Sequence, residues 1–490
     1  LFRTAREEFQ LLQDKAGPYY KTSGDIPSVE KSVLKMDFKR KRDFTKDPFW
    51  DMAKRLVVTE YSPTLNKATR ILSPGEIVPL LNMQASAGCP WVQLGYKTKR
   101  DFIESDECMS WIINNPNGFG TPVWKVCPKD EWYLDIDIDS GKVRTYIVPP
   151  IHFLWHQKRL YHTQNQALKN YKWSKYGFNP YYGGVDRLAK DLNRNPIKLS
   201  YDVKGWDRLY PLMEEVYGLR NSGYKKYTNG IMSDDDVQEL LDWVYVNVSQ
   251  SYLILPDGTV VFKDIGNNSG SDETTTDNIL GHIFIATLFL VRLSSLRLER
   301  ESIPFFVKRC VLCLFGDDNL MSIPDLGIPM DEITLCLIET FRMFGYELDP
   351  LLVSRSLEGH TFLGFELVLY GIYYIPRFNQ ARLLAAFCFD YEKHMPKSHC
   401  LSKAYSLTVM AAGGDREIFE SMRSCLQSYL DTWPVLDLDP VVQSYISHGA
   451  PTHEDCVYFY LGFESMLLEG GWFLKEFNSF WRHGWKEESS

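Results

Sequence analysis

The run Phe305-Phe306-Val307-Lys308-Arg309-Cys310-Val311-Leu312-Cys313-Leu314-Phe315-Gly316-Asp317-Asp318-Asn319-Leu320-Met321-Ser322-Ile323 decides the fold class. Apolar residues dominate both ends, and four turn formers sit between them. This predicts a β-hairpin with one strand over 305–315, an acidic turn over 316–319 and a second strand over 320–323. Upstream, Ile197, Leu199 and Tyr201 alternate with Lys198, Ser200 and Asp202. That is the period of a half-buried strand whose open face ends at Asp202. Between the two lies an apolar helix over 271–293, entered through Gly266-Asn267-Asn268-Ser269-Gly270. Residues 331–344 have helical spacing with Gly345 as the stop, and 362–378 alternate around Gly371 as a second hairpin. A helix over 150–170 precedes the first strand, and the chain reads as mainly helical from about 380. Strand, helix, hairpin, helix, hairpin describes an α+β unit with an antiparallel sheet flanked by helices.

This order brings four carboxylates forward. Asp202 and Asp207 flank a strand end, and Asp317 and Asp318 occupy a hairpin tip. A hairpin lying beside the first strand brings Asp202 and Asp317 close enough to share two Mg²⁺ ions, which favour hard oxygen ligands. Two such ions about 3.5–4 Å apart activate an attacking hydroxyl and neutralise a leaving pyrophosphate. Taken alone, the DxxxxD spacing occurs by chance in many chains, and GDD in a turn is more often plain turn chemistry. Between them, residues 269–278 have the form SGxxxTxxxN, with Thr274 and Asn278 one turn apart on a helix face. An N-capped helix accounts for Ser269, but not for Asn278 recurring in an apolar helix.

Composition excludes several classes. The 490 residues are 44% hydrophobic and 24% charged, as in an ordinary folded chain, so a disordered tail, a collagen-like rod and a coiled coil are ruled out. The longest apolar run, 279–293, is interrupted by His282 and Arg292 and reads as a buried core helix, so no own membrane span is expected. No secretory signal opens the chain, and Leu at position 1 reads as a cut from a longer precursor or a trimmed start. Ten scattered cysteines favour a reducing compartment such as the cytoplasm. The lone Cys310/Cys313 pair lacks the second pair of a zinc site. His152 and His156 lack a metalloprotease glutamate and read as packing or surface residues.

The net charge of -9 conceals an asymmetry. Residues 141–200 carry eleven Lys+Arg against Asp186 and Asp191, whereas 410–490 carry five basic and thirteen acidic residues. The basic segment also holds Tyr146, Trp155, Tyr161, Tyr171, Trp173, Tyr176, Tyr181 and Tyr182. Basic and aromatic residues together suit a groove that neutralises phosphates and stacks bases; a solvated face over ordinary core aromatics fits equally well. Lys39-Arg40-Lys41-Arg42 reads as solvated surface.

Taken together, the motifs resemble those of positive-strand RNA virus RNA-dependent RNA polymerases of the picornavirus-like group. Residues 202–207 resemble motif A, 269–278 motif B and 315–318 motif C. Gly141-Lys142-Val143-Arg144 with Lys129-Asp130-Glu131 resembles motif F, Ser86-Ala87-Gly88-Cys89-Pro90 motif G, and 361–365 motif E. Within the class, 176–181 and the segment before it look most like astroviruses.

The resemblance implies a right-hand fold: fingers over 1–196, a palm over 197–378 with a fingers insertion at about 214–262, and a thumb over 379–490. It implies replication and transcription of a viral genome by addition of NTPs to an RNA 3′ end on an RNA template. Asp202, Asp317 and Asp318 become the catalytic and metal residues, for two Mg²⁺ ions with Mn²⁺ substituting. Lys142, Arg144, Asp207, Ser269, Thr274 and Asn278 become nucleotide-binding, with Asp207 and Asn278 on the ribose 2′-OH. Ser86, Gly88, Lys129 and Gly270 become template-binding. The family's usual motif D lysine has no counterpart between Lys308 and Lys393, where Arg355 and His360 lie nearest the expected general acid, although both read rather as surface residues. Implied partners are viral RNA template and nascent strand, NTPs, a protein primer and other viral replication proteins. The implied place is host cytoplasm, in membrane-associated replication complexes recruited through other proteins. A reverse transcriptase shares the metal carboxylates but not the ribose-selecting set, and a non-catalytic RNA-binding scaffold would lack a metal carboxylate.

Overall fold

A computed structural model describes residues 6–17, 19–22, 25–34, 36, 43–134, 143–224, 232–389, 397–432 and 449–462. Lys39-Arg40-Lys41-Arg42, Gly141 and Lys142 lie outside these residues. The strands begin β1 (Tyr19–Thr22), β2 (Val123–Pro128), β3 (Glu131–Leu134), β4 (Thr145–Val148) and β5 (Ile197–Val203). Next come β6 (Ser251–Ile254), β7 (Val260–Lys263), β8 (Val311–Phe315) and β9 (Asp318–Ile323). The last are β10 (Leu348–Ser354), β11 (Thr361–Phe362), β12 (Phe365–Tyr370) and β13 (Tyr373–Phe378). Among the described residues they pair as β1-β3, β4-β2-β6-β7, β10-β5-β9-β8 and β11-β12-β13.

The β10-β5-β9-β8 sheet is antiparallel throughout, as the alternation of elements predicts. The hairpin does lie beside the first strand: Ile197 pairs with Ile323 and Leu199 with Met321. Two sequence expectations need correction here. Residues Ile303–Arg309 form a helix, and only Val311–Phe315 is strand. Pro304 in the first turn has the fixed φ of a helix start, and Phe306 and Val307 are buried while Phe305 stays exposed. Nor is β5 half-buried. Lys198 and Ser200 are buried as well, because β5 is a central strand covered on both faces, and Asp202 is its one exposed residue.

The Thr274–Ser295 helix is apolar on nearly every side and lies inside the largest core cluster, as all-round hydrophobicity requires. Its 22 residues do meet the length and apolarity of a bilayer span, contrary to the sequence expectation. Nearly all of the helix is buried in the fold, which fits the core-helix reading. The Met330–Met343 helix closes the same side, with Phe341 edge-on to Tyr201 at 4.9 Å. At the other end of the chain, the Arg6–Ala16 helix packs on the Gln380–Phe389 and Arg416–Thr432 helices, putting Leu12 and Ala16 in their core.

The aromatics of the basic segment divide. Trp155, Tyr161 and Trp173 are core residues, whereas Tyr146 is exposed. His152 accepts a hydrogen bond from Trp91 Nε1 at 2.8 Å, and His156 packs against Trp243, so both are packing residues. Cys310 and Cys313 are buried, and burial pushes the Cys313 thiol up to about 12.

Candidate active site

The site is built where β5 and the β8–β9 hairpin end. Gly316 has φ +67°, which lets the chain reverse tightly between Phe315 and Asp318. Continuing the β5–β9 register past Leu199 and Met321 sets Tyr201 opposite Asn319 and Asp202 opposite Asp318. There the side chain of Asn319 replaces the backbone ladder. Its Nδ2 donates to Tyr201 O at 2.7 Å and Asp317 O at 3.1 Å, and its Oδ1 accepts from Tyr201 N at 3.3 Å. Asn319 therefore staples the residue before Asp202 to the acidic turn.

The three carboxylates feel one another. Burial and then the charges of Asp317 and Asp202 push Asp318 up to about 6. Asp317 is also raised, by burial first and Asp202 among the further causes, while Arg144 pulls both back. Asp202, Asp317 and Asp318 are nevertheless exposed. Dense protein surrounds the turn, yet the carboxylates keep an open side from which a cation or ligand can enter. A divalent cation would relieve this repulsion, and carboxylate oxygens are its natural ligands. No three His, Cys, Asp or Glu side chains form a ready-made metal cage among the described residues. That fits Mg²⁺, which uses one or two carboxylates plus substrate phosphates rather than an all-protein cage.

A second cluster lies beside the carboxylates. Gly205, in the left-handed region, leads into the short Trp206–Leu209 helix that carries Asp207. Asn278 Nδ2 donates to Asp207 Oδ1 at 2.7 Å, and Asn267 Nδ2 donates to Asn278 Oδ1 at 3.0 Å. Asn267 N also donates to Asp207 O at 2.7 Å, closing the ring. Burial raises Asp207 to about 6 against the pull of the Asn278 bond, with Asp317 raising it further. Asp207 and Asn278 are thus brought together as expected; Asn267, missed in the sequence, orients them.

Other expected residues do different work. Thr274 Oγ1 donates to Asn268 O at 2.6 Å and Ser271 O at 3.0 Å, which spends its hydroxyl on the loop. Ser269 does not cap the helix, whose N-cap is Glu273. Its Oγ instead accepts from Ile147 N at 3.2 Å. Gly270 N donates to Ile147 O at 2.9 Å, and a Cβ there would lie 2.3 Å from that oxygen. Ser269 and Gly270 therefore fasten the loop to β4 at Ile147, three residues past Arg144. Arg144 and Lys129 both approach Glu131, at 3.3 and 4.0 Å. Ser86 Oγ accepts from Gly88 N at 3.2 Å, and Gly88, at φ +78°, presses on Pro150 too closely for a Cβ.

Neither general-acid candidate is placed for the task. His360 is fully buried, with Nδ1 2.7 Å from Ser200 Oγ and Nε2 2.9 Å from Ser354 Oγ. It is a packing residue between β5 and β10, not a surface one, and burial lowers it to about 4. Arg355 is exposed and paired with Asp325 at 2.6 Å.

One end of the antiparallel sheet thus gathers three carboxylates beside Asp207 on its short helix and Asn278 on the buried one. A family model described as viral RNA-dependent RNA polymerase matches residues 25–430, and the chain belongs to that family. Its enzyme class is RNA-directed RNA polymerase, which implies use of a divalent metal ion. The genome polyprotein of Plum pox potyvirus (isolate NAT) is 24% identical over 453 residues, covering 88% of this chain and 13% of that polyprotein. That of Bean common mosaic necrosis virus (strain NL-3) is 22% identical, covering 73% of this chain and 11% of its own length. The non-structural polyprotein 1AB of Ovine astrovirus 1 is 24% identical over 328 residues, covering 62% of this chain and 23% of its own length. The chain thus spans only a small part of the curated relatives it matches.

Proposed function

We propose that this chain extends an RNA 3′ end with NTPs on an RNA template, replicating and transcribing a positive-strand viral genome. The observation that carries this is the convergence of Asp202, Asp317 and Asp318 at one sheet end, beside the Asp207–Asn278–Asn267 ring. In the reaction the primer 3′-oxygen bonds to the α-phosphorus, the bond to pyrophosphate breaks, and the hydroxyl proton leaves to solvent. Asp202, Asp317 and Asp318 would hold two Mg²⁺ ions, with Mn²⁺ as substitute; when bound, these lower the hydroxyl's pKa and offset the charge of the leaving pyrophosphate.

The rest is positioning and charge stabilisation by the chain. Arg144, whose charge reaches Asp317 and Asp318, meets the triphosphate with a forked donor set, joined by Lys142. Asp207 and Asn278 hydrogen-bond the 2′-OH, with Ser269 and Thr274 shaping the loop behind them. A site built for a hydroxyl disfavours the analogue lacking it, because its own polar groups are left unpaired. Ser86, Gly88, Lys129 and Gly270 line the template path.

This reading includes the right-hand fold: fingers over 1–196, palm over 197–378 with an insertion at about 214–262, and thumb over 379–490. Its partners are template and nascent RNA, NTPs, a protein primer and other replication proteins, at membrane-associated sites in host cytoplasm. An astrovirus-like origin, drawn from 176–181, has the ovine astrovirus match in support, but potyvirus matches cover more of the chain. The picornavirus-like supergroup is the level that holds.

Extension of a labelled RNA primer tests the proposal. Wild type should extend it with Mg²⁺ or Mn²⁺ and prefer NTPs. Asp317→Ala should lose nucleotide addition while still binding RNA. Near-normal synthesis by Asp317→Ala would refute the metal role.

A further inference from the structure

The Thr274–Ser295 helix carries an imidazole deep in its apolar stretch. His282 is fully buried within it, one turn beyond Asn278, so that Thr274, Asn278 and His282 repeat every four residues along one face. Thr274 ties the loop, and Asn278 holds Asp207. His282 reaches the third part of the site. Its Nδ1 lies 3.1 Å from Gly316 O in the acidic turn, and its Nε2 lies 2.8 Å from Tyr201 Oη. A carbonyl can only accept, so Nδ1 carries the hydrogen; Nε2 then accepts from the Tyr201 hydroxyl. Tyr201 directly precedes Asp202, and Gly316 directly precedes Asp317.

A phenylalanine or leucine would fill this space without desolvating two nitrogens. The surroundings are aromatic, with Trp206 at 4.9 Å and Phe341 at 6.0 Å between ring centres. A buried imidazole here is destabilising unless both nitrogens are bonded, and both bonds go to the two segments that carry the carboxylates.

We propose that His282 is a positioning residue for the acidic centre, fixing the separation of Asp202 from the Asp317–Asp318 turn and coupling it to the helix face that carries Asn278. This rests on the metal role given above to those carboxylates. Asn319 ties the same two segments through backbone atoms, so removing His282 should loosen the geometry rather than dissolve it.

The test is Mn²⁺ titration of the 490-residue chain by electron paramagnetic resonance, without RNA or nucleotide, alongside thermal melting and primer extension across Mg²⁺ concentrations. His282→Phe keeps a ring in place and removes both bonds. It should raise the Mn²⁺ concentration for half-saturation about tenfold and shift the Mg²⁺ dependence of extension the same way, with KM for NTP changing less than kcat. Tyr201→Phe removes one oxygen and should give about a threefold shift. The double variant should do no worse than His282→Phe alone, since the two groups form one chain. Should Asp317→Asn abolish Mn²⁺ binding while both single variants bind as wild type, the positioning role is overturned and the metal reading stands. Should Asp317→Asn bind Mn²⁺ as wild type, the metal reading fails and the proposal fails with it. If His282→Phe melts too low to assay, Tyr201→Phe decides alone, and a wild-type titration from it overturns the proposal.

Discussion

Asn278 shows how much one side chain can be asked to do. Its amide gives a hydrogen to Asp207 and takes one from Asn267, so both faces of the group are committed and its orientation is fixed. Replacing it by alanine leaves Asp207 half-buried without its partner. We expect Asn278→Ala to reduce the preference for UTP over dTTP at least tenfold in competition assays; an unchanged ratio would remove Asn278 from sugar selection. His360 carries a different prediction. Its pKa is about 4 in the fold against an ordinary 6.5. Between those values the unfolded chain binds the proton and the folded one does not, so the histidine's stabilising contribution is complete above pH 6.5 and declines as pH falls toward 4. The stability advantage of wild type over His360→Gln should therefore shrink by about 1 kcal/mol between pH 7 and pH 5.5, as read from urea midpoints. The resemblance already set Asn278 beside Asp207, whereas Asn267's part in the ring and the burial of His360 were not legible beforehand. Asn278 stood out as a polar recurrence in an apolar helix, but Asn267 looked like loop and His360 like surface, because their partners lie far away in the chain.

At the scale of elements, the segment from 266 to 278 is held from two sides. Gly270 lies against β4 so closely that Gly270→Ala must displace the Ile147 carbonyl. Backbone cannot yield as a flexible side chain does. Primer extension by Gly270→Ala should fall more than tenfold while the melting temperature changes little, because the loop and not the core is disturbed. Behind it, the Met213–Asn221 helix sends Arg220 into the core. There it bonds Asp277 at 2.6 Å, Thr276 at 2.7 Å and Asn165 at 3.1 Å, with both charged side chains fully buried. Burial pushes Asp277 up to about 6 against the pull of Arg220. Arg220→Ala would leave that carboxylate buried and alone, a change that costs about 3–5 kcal/mol and that a denaturant curve would register. The sequence showed the SGxxxTxxxN spacing but assigned its serine to capping. Capping is a local rule, and here a neighbouring strand claimed the hydroxyl instead.

Across the whole molecule, the two ends of the described chain meet. Leu12 is fully buried among the Gln380–Phe389 and Arg416–Thr432 helices, and Lys15 pairs with Glu417 at 2.6 Å. Leu12→Ala should destabilise that helical core by about 2–4 kcal/mol through lost burial and the cavity left behind. Calorimetry should show a lower melting temperature, and near-wild-type melting would mean that the N-terminal helix is a loose appendage.

What the sequence determined by itself was local chemistry and order. Alternation marked β5, turn formers marked the 316–319 tip, and apolar length marked the Thr274–Ser295 helix, because these signals reside in neighbouring residues. It also supplied the carboxylates and the asparagine, since each interrupts an otherwise regular pattern. Tertiary structure decided what period and propensity do not encode: that β5 is covered on both faces, that 303–309 coils into a helix before the strand begins, and that Ser269 serves β4. It alone joined Tyr201, His282 and Gly316, which are separated by 81 and 34 residues. Hydrogen bonds across such distances depend on where packed elements come to rest, which is a property of the folded chain and not of any stretch within it.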